Sequence, residues 1–508
     1  MSLKAKQLPA DVCMILEGSY PYVAGGVSSW AHDLIKMQPH LTFHLLVLVA
    51  SGSELKLRYE LPDNIVGITE VVLQSPPPGK VKLFRQGRII QQVETPLNAL
   101  FAGGGLKDIR TLMGIFSDYK GRVGRHILLD SKEAWDMSLR FYKKDLGHCS
   151  FLDFFWAWRG MLSGLYSVLQ GSLPEAKMYH AISTGYAGLY MARAKIETGR
   201  PTMLTEHGIY TNERRIEIAM ADWLHEEEFH PHGMSVDQSQ RGIRDLWMQG
   251  FQSYSLACYE ACDRVITLFE GNQNFQLSDG ANRDLMEVIP NGIDYEGFKE
   301  LETATRGENL TVALIGRVVP IKDIKTYIRA VAHVKEAIPE VKAYVLGPFD
   351  EDKEYYLECV ELVDQLGVSD VLTFTGRVDL KEWMKQIDIN VLTSISEGQP
   401  LVILEAGAAG IPSIATDVGA CREIIEGDST EKPRFGIGGA IVPLSSPLAS
   451  AKAMIELLSD KNLLNRRGRA IQQRVAKYYN KTDLQEKYRA LYDRYTQTDK
   501  QSLLKGER

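Results

Sequence analysis

Ser396-Glu397-Gly398-Gln399-Pro400-Leu401-Val402-Ile403-Leu404-Glu405-Ala406 is the stretch on which the fold turns. It follows the apolar run Ile389-Asn390-Val391-Leu392-Thr393, which predicts a buried strand, so the order is strand, tight loop, helix. Pro400 suits the first helical position, where its missing N–H costs nothing, and Gly398 lets the backbone come close to a ligand. The amides of Leu401 and Val402 then form an anion site. Ala406, Gly407, Ala408 and Ala409 let the helix lie close to a sheet, and Gly410-Ile411-Pro412 ends it. Glu397 in the loop and Glu405 about one turn into the helix frame the site. Their spacing suits one elongated ligand that carries a phosphate between two polyols, which is a sugar nucleotide in outline. A helix N-terminus with an acidic loop residue and one exposed helix Glu gives the same letters without a ligand, because the helix dipole alone favours acids there.

The chain around this stretch has 508 residues, beyond the size of a single core, so two or more domains are expected. Composition is that of a globular protein, with 44% hydrophobic and 24% charged residues, and the net charge is −7. An acidic total argues against general nucleic-acid binding, which rests on phosphate neutralisation. The apolar run near the N-terminus stops at Glu17, and no run approaches a membrane span, so a cytoplasmic protein with no signal peptide or transmembrane span is expected. Six scattered cysteines (Cys13, Cys149, Cys258, Cys262, Cys359, Cys421) read as reduced core thiols.

In the first half, Asp11 to Leu16 is a predicted strand, and Glu17 to Val27 a glycine-bearing loop before a helix from Ser28 to Met37. This is a phosphate-accepting corner without the dinucleotide fingerprint spacing. Strand Phe43 to Val49 follows. From about Ser75 to Pro174 the alternation is lost and the sequence reads as helical. Between Lys80 and Arg125 nine basic residues stand against three acids, a cationic surface on an acidic protein. Phe151 to Trp158 is apolar nearly all round a helix, and reads as a buried helix, an aromatic platform for a sugar acceptor or a membrane-partner face. Alternation resumes with strand Met178 to Ser183 and the run Thr202 to Tyr210, followed by strands Arg264 to Leu268 and Met286 to Asp294, and this puts His207 just past a strand's carboxyl end, where open α/β sheets bind ligands. His225, His230 and His232 match no zinc spacing and read as a solvated loop.

The second half restarts the pattern after a polar hinge placed near 295–309. The strand with loop Thr311 to Arg317 and strands Lys342 to Leu346, Val371 to Thr375, Ser413 to Thr416 and Ala440 to Val442 alternate with helices, a second doubly wound domain. Asp350-Glu351-Asp352 opens a helix and reads as dipole-favoured capping. Two such domains make a cleft between facing strand ends. Departure of a nucleoside diphosphate builds negative charge there, and Arg317 and Lys322, in the loop after the first strand of the second domain, supply fixed positive groups.

Gly25-Gly26-Val27, His207-Gly208, Pro290-Asn291-Gly292, Gly316-Arg317 with Lys322, Thr375-Gly376-Arg377 and Glu397 with Glu405 occur in family order. The chain resembles the retaining GT-B glycosyltransferases of family four over most of its length outside residues 75–175. The resemblance implies two Rossmann-like doubly wound α/β domains facing across a cleft. Residues 1–300 would be the acceptor-side domain with a helical insertion at about 75–175, 301–477 the nucleotide-sugar donor domain, and 478–508 a helix returning to the N-terminal domain. It implies that Glu397 bonds the donor sugar, that Glu405 grips the ribose diol, and that Arg317 and Lys322 lie on the diphosphate. Gly26, beside Gly25, gives its amide to the diphosphate, and His207 touches the sugar near its 6-hydroxyl. The backbone around Arg377 and Val378 holds the base, and Gly316, Gly398, Leu401 and Val402 complete the donor site. Gln399 departs from the aromatic or aliphatic residue common at its position, where the sugar is contacted.

The wording of Glu17 to Tyr22, Thr205 to Arg215 and Glu397 to Pro400 resembles the members that serve Pel exopolysaccharide synthesis at the bacterial inner membrane. That implies a UDP-sugar donor, UDP-glucose first and UDP-N-acetylgalactosamine second, and an oligo- or polysaccharide acceptor. A membrane synthase complex docked through the N-terminal domain is the implied partner, and no cofactor or essential metal is implied. Other classes are a non-catalytic UDP-sugar-binding GT-B protein, against which the intact Arg317, Lys322, Glu397 and Glu405 argue, and a GT-B sugar epimerase, which needs a base at the sugar's C2.

Overall fold

The computed structural model describes residues 9–50, 52, 55–119, 121–219, 242–301, 310–428 and 431–503, with the backbone alone at 216–219 and 498–503. The histidine group at 225–232 and most of the predicted hinge lie outside the described residues. The chain divides into two compact units. One holds residues up to Thr267, Asn272–Val288 and the chain from Tyr488 onward; the other holds Leu268–Gly271 and Ile289–Lys487.

The first unit is built on a seven-stranded sheet: β1 (Ala10–Glu17), β2 (Phe43–Val49), β3 (Ile65–Val72), β4 (Ala176–Ala181), β5 (Thr202–Glu206), β6 (Arg264–Thr267) and β7 (Met286–Val288). The order is β3-β2-β1-β4-β5-β6-β7, and neighbouring strands are parallel throughout. Near-continuous apolar runs such as Val12–Leu16 and Leu45–Val49 are what a sheet covered on both faces requires. The strand the sequence reading lacks is β3. It lies at the sheet edge, carries Gly67, Thr69 and Glu70, and buries only Val71 fully, so it shows no apolar run.

Between β3 and β4 the helices Gln86–Leu100, Leu106–Asp118, Lys132–Phe141 and Phe151–Gln170 form the expected helical insertion. The last of these is only partly the buried helix expected. Phe154, Ala157 and Trp158 are in the core, whereas Leu152 and Trp156 are each 62% exposed. The helix Lys481–Leu503 closes the chain. Its Tyr488 and Tyr492 are buried in the first unit, where Tyr492 Oη bonds His180 Nδ1 at 2.8 Å and Tyr488 Oη meets Thr205 Oγ1 at 3.2 Å.

The second unit repeats the plan with β8 (Thr311–Ile315), β9 (Lys342–Leu346), β10 (Leu372–Gly376), β11 (Ile389–Leu392), β12 (Ser413–Thr416) and β13 (Gly439–Val442). Its parallel order is β10-β9-β8-β11-β12-β13. Two apolar clusters cover the sheet, one around Ile328, Val331 and Met454 and the other around Ile403, Leu404 and Ile471. In both sheets the order reverses beside the first strand. That switch point, between β1 and β4 and between β8 and β11, leaves a crevice at the carboxyl ends of the strands.

Candidate functional site

In the second unit β8 pairs with β11, so the loops that leave their carboxyl ends are neighbours. The loop after β8 tightens into a one-turn 3-10 segment, Pro320–Lys322, before the helix Ile324–Ala337. The loop after β11 leads into the helix Leu401–Ala408. Lys322 Nζ and Glu397 Oε1 meet across these loops at 2.5 Å, with side chains 21% and 14% exposed. Ser394 Oγ donates to the same carboxylate oxygen at 2.6 Å. Thr393 Oγ1 donates to the carbonyls of Lys322 and Asp323 at 2.9 and 3.0 Å, pinning the two loops together. A Cβ on Gly316 would lie 3.7 Å from Lys322 Cε, so Gly316 sits against the lysine stem.

The Glu397-Gly398 backbone rests on a turn that the sequence reading did not single out. Ala420 N–H donates to the Gly398 carbonyl at 2.8 Å. Gly419 has φ +52, and a Cβ there would come within 2.3 Å of the Glu397 and Gly398 carbonyl oxygens. Only glycine permits this approach. Pro400 is the residue before the helix rather than its first member, and Leu401 and Val402 occupy the first two helical positions. Their amides precede the first bond of the helix, from Ile403 N–H to the Pro400 carbonyl at 3.1 Å. Burial raises the Glu405 carboxyl above its ordinary range, and Lys381 acts in the opposite direction.

Gln399 takes a position different from the expected sugar contact. It is buried, and its carboxamide grips one peptide: Asn291 N–H donates to Oε1 at 2.7 Å, and Nε2 donates to the Asn291 carbonyl at 3.3 Å. Gln399 therefore fixes the Pro290-Asn291-Gly292 turn. Arg317 also differs from the expected picture, whereas the expectation at Arg377 concerns its backbone, on which its side-chain contact does not bear. Arg317 is exposed and pairs with Glu351 at 2.5 Å, and Arg377 lies 3.9 Å from Asp350. Of the acidic run expected to cap a helix, only Asp352 does so, accepting from Tyr355 N–H at 3.0 Å. Val378, beside Arg377, is partly buried against the second unit's core. The structure thus brings together Lys322, Glu397, Gly316, Gly398, Leu401, Val402 and Glu405, and turns both arginines towards acids.

In the first unit the corner after β1 ends at Gly25 and Gly26, the start of the helix Gly26–Lys36. Gly25 is extended at φ 169, and a Cβ on either glycine would meet nothing within 4 Å. Neither backbone conformation nor protein packing demands glycine at these two positions. An approaching ligand is a steric reason that remains. His207 follows β5, and neither ring nitrogen has a hydrogen-bond partner among the described residues although both atoms are buried. Burial pulls its pKa down to about 4, so the imidazole is neutral at pH 7. An unpartnered buried polar ring calls for an explanation, and an absent ligand is one.

Three residues absent from the sequence-based set shape this corner. Trp30 presents its ring edge-on to His207, with centroids 4.5 Å apart. Glu206 is fully buried and accepts from Tyr259 Oη, Gln276 Nε2, Thr184 Oγ1 and Tyr210 N–H at 2.7 to 3.3 Å. Burial still raises its pKa to about 7. Glu17, at the end of β1, accepts from Tyr210 Oη at 3.0 Å and Ala187 N–H at 3.2 Å. Sequence alone offered one signal, the polar residues ending two apolar strands beside the switch point.

Residues 10–284, more than half of the chain, match the family described as "Domain of unknown function (DUF3492)". The chain belongs to the DUF3492 family. Its residues 299–474 match "Glycosyl transferases group 1", so this DUF3492 protein carries a group 1 glycosyltransferase segment containing the Lys322–Glu397 pair. Curated relatives include the D-inositol 3-phosphate glycosyltransferases of Kribbella flavida, 29% identical over 228 residues (42% of this chain, 52% of that one), and of Streptomyces bingchenggensis, 28% over 225 residues (41% and 48%). The chain spans about half the length of the curated relatives it matches. Among solved structures, Anabaena HepE in complex with UDP and glucose aligns with TM-score 0.56 at 13% identity, covering 95% of this chain and 99% of that one. Sucrose-phosphate synthase from Thermosynechococcus elongatus aligns with TM-score 0.56 at 16% identity, covering 95% and 98%. Identities this low bear on fold alone, and the fold is GT-B, with two parallel-sheet Rossmann-like domains.

Proposed function

We propose that this protein is a retaining glycosyltransferase of family four that transfers a hexose from a UDP-sugar to a growing bacterial exopolysaccharide. UDP-glucose is the first choice of donor and UDP-N-acetylgalactosamine the second. The observation that carries the reading is the Lys322–Glu397 pair at the β8/β11 switch point, within one loop of the Leu401 and Val402 amides and Glu405. A cation, two free amides and a half-buried carboxylate suit a diphosphate joined to a ribose. That a DUF3492 protein's structural neighbour is described with UDP and glucose supports the donor class.

In this reading Lys322 neutralises the β-phosphate as the bond from C1 to the phosphate oxygen breaks. The acceptor oxygen bonds C1 on the same face and passes its proton to the departing phosphate oxygen. Glu397 orients Lys322 and bonds the sugar, and Glu405 takes the ribose diol. In the first unit, taken by itself, the Gly25-Gly26 corner suits a phosphate and the neutral imidazole of His207 suits a sugar hydroxyl. The chemistry calls for no essential metal, because the cation and amides supply the positive charge. The motif wording supports the finer assignment to the PelF type, with a Pel-like acceptor and docking of the first unit at an inner-membrane synthase complex.

Incubation with UDP-glucose or UDP-N-acetylgalactosamine tests the reading through release of UDP, with the anomeric configuration of the product followed by NMR. Slow UDP release that Lys322→Ala reduces by roughly 10²–10³-fold is expected. Absence of binding and turnover with UDP-, GDP- and ADP-sugars alike overturns it.

A further inference from the structure

The segment Lys80-Val81-Lys82-Leu83-Phe84-Arg85, between the triple proline Pro76-Pro77-Pro78 and the helix Gln86–Leu100, joins two features that rarely coexist on a loop. It is tied down. Lys80 N–H donates to the Arg122 carbonyl at 2.8 Å, Leu83 is buried at 8% exposure, and Gln86 Nε2 bonds Glu133 Oε2 at 2.7 Å. Yet between these anchors Val81 is 77% exposed and Phe84 is 86% exposed, the two highest values among the exposed large hydrophobics of the described residues. Lys80, Lys82, Arg85 and Arg88 are exposed around them, and the Arg85 guanidinium lies 5.1 Å from the Phe84 ring centroid. Arg85 holds this arrangement with a left-handed backbone, φ 58, where a side chain other than glycine is uncommon.

A held loop that presents an aromatic and an aliphatic tip among four exposed cations of the same segment has the chemistry of an interfacial anchor. Its apolar tips enter the boundary between headgroups and acyl chains, and its cations meet anionic headgroups. The charge is local, since the protein as a whole carries −7 while residues 80–125 hold nine basic residues against three acids. No helix among the described residues is long and apolar enough to cross a membrane, so attachment at a surface is the mode these residues offer.

We infer that the Lys80–Arg88 segment is a lipid-binding loop that docks the first unit directly on an anionic bilayer. This rests on the reading that the first unit docks at a membrane and assigns lipid, rather than a synthase subunit, as the group it touches. It is independent of the transfer chemistry. Because two apolar tips and four charges act together, either set alone is insufficient for stable attachment.

Flotation of the full-length protein with protein-free vesicles tests it. Binding to phosphatidylcholine vesicles containing phosphatidylglycerol is expected, with little binding to phosphatidylcholine alone and a loss at high salt. Val81→Ser with Phe84→Ser, and separately the reversal of Lys80, Lys82, Arg85 and Arg88 to Glu, should each reduce binding by about tenfold or more. Both variants should keep the parent's circular dichroism and UDP affinity, which separates this outcome from failure of the donor site. Binding unchanged in both variants overturns the inference. So does binding confined to native membrane vesicles and lost after protease shaving, which leaves the docking reading standing and transfers it to a protein.

Discussion

Lys322 and Glu397 form an ion pair at 2.5 Å between the loops that leave β8 and β11, with both side chains mostly withdrawn from solvent. The pair lies at the switch point of a parallel sheet, where the topology itself leaves room for a ligand. Its lysine is held by a carboxylate that also accepts from Ser394, so the charge is positioned before any donor arrives. In the proposed transfer, preorganised charge of this kind would act on the transition state without reorganising.

Lys322→Ala is expected to reduce kcat by roughly 10²–10³-fold with a smaller change in KM, by analogy with loss of one transition-state donor. Glu397→Gln keeps the Ser394 bond but loses the ion pair, and should fall between the parent and Lys322→Ala. Steady-state UDP release checks both. Equal rates in parent and Lys322→Ala contradict the role.

Gln399→Ala removes both bonds to the half-buried Asn291 peptide and leaves its N–H and carbonyl without these partners. Destabilisation of about 1–3 kcal/mol is expected. Donor choice between UDP-glucose and UDP-N-acetylgalactosamine should be unaltered, because the carboxamide is engaged with backbone. Urea midpoints and paired competition assays measure the two effects. A switch in donor preference would show that Gln399 reads the sugar after all.

Burial lowers the pKa of His207 to about 4 and of His180 to about 3, against an ordinary value of 6.5. A group whose folded pKa is depressed gives stability that is complete above the unfolded value. That stability is lost as pH falls from about 6.5 towards 4. His207→Asn removes one such group, so its melting temperature should fall less than the parent's between pH 6.5 and 4.5. Parallel curves for the two proteins would place His207 outside the acid response.

Trp30 meets His207 at 4.5 Å between ring centroids and also contacts His180 and Tyr488 edge-on. Trp30→Ala should destabilise the protein by roughly 3 kcal/mol and lower the rate. Trp30→Phe should recover most of both, because an aromatic edge is retained. Thermal melts and initial rates check this, and full activity in Trp30→Ala contradicts a positioning role for the ring.

Both sheets were legible because a parallel sheet covered on two faces writes itself as apolar runs, as in Phe43 to Val49 and Thr311 to Ile315. β3 was not, because an edge strand with Gly67, Thr69 and Glu70 has neither a run nor clean alternation. The positions of Glu397 and Lys322 in the loops after β11 and β8, and of Glu405 one turn into a helix, were legible from the order of strand, loop and helix. Partnerships were not. Gln399 bonds Asn291, which is 108 positions away, and Arg317 bonds Glu351, 34 positions away. Trp30 and Gly419 were missed for the same reason. Nothing local in the sequence distinguishes a tryptophan that packs on a distant histidine, or a glycine that supports a distant carbonyl.

The central claim is that the Glu397–Glu405 segment holds a uridine nucleotide. Calorimetric titration of UDP into the parent and into Glu405→Ala tests it most directly. Saturable binding in the parent that weakens about tenfold or more in the variant is expected, in line with loss of a charge-assisted bond worth ~1.5–3 kcal/mol. Equal affinity in the two proteins, or no binding in the parent, contradicts the account.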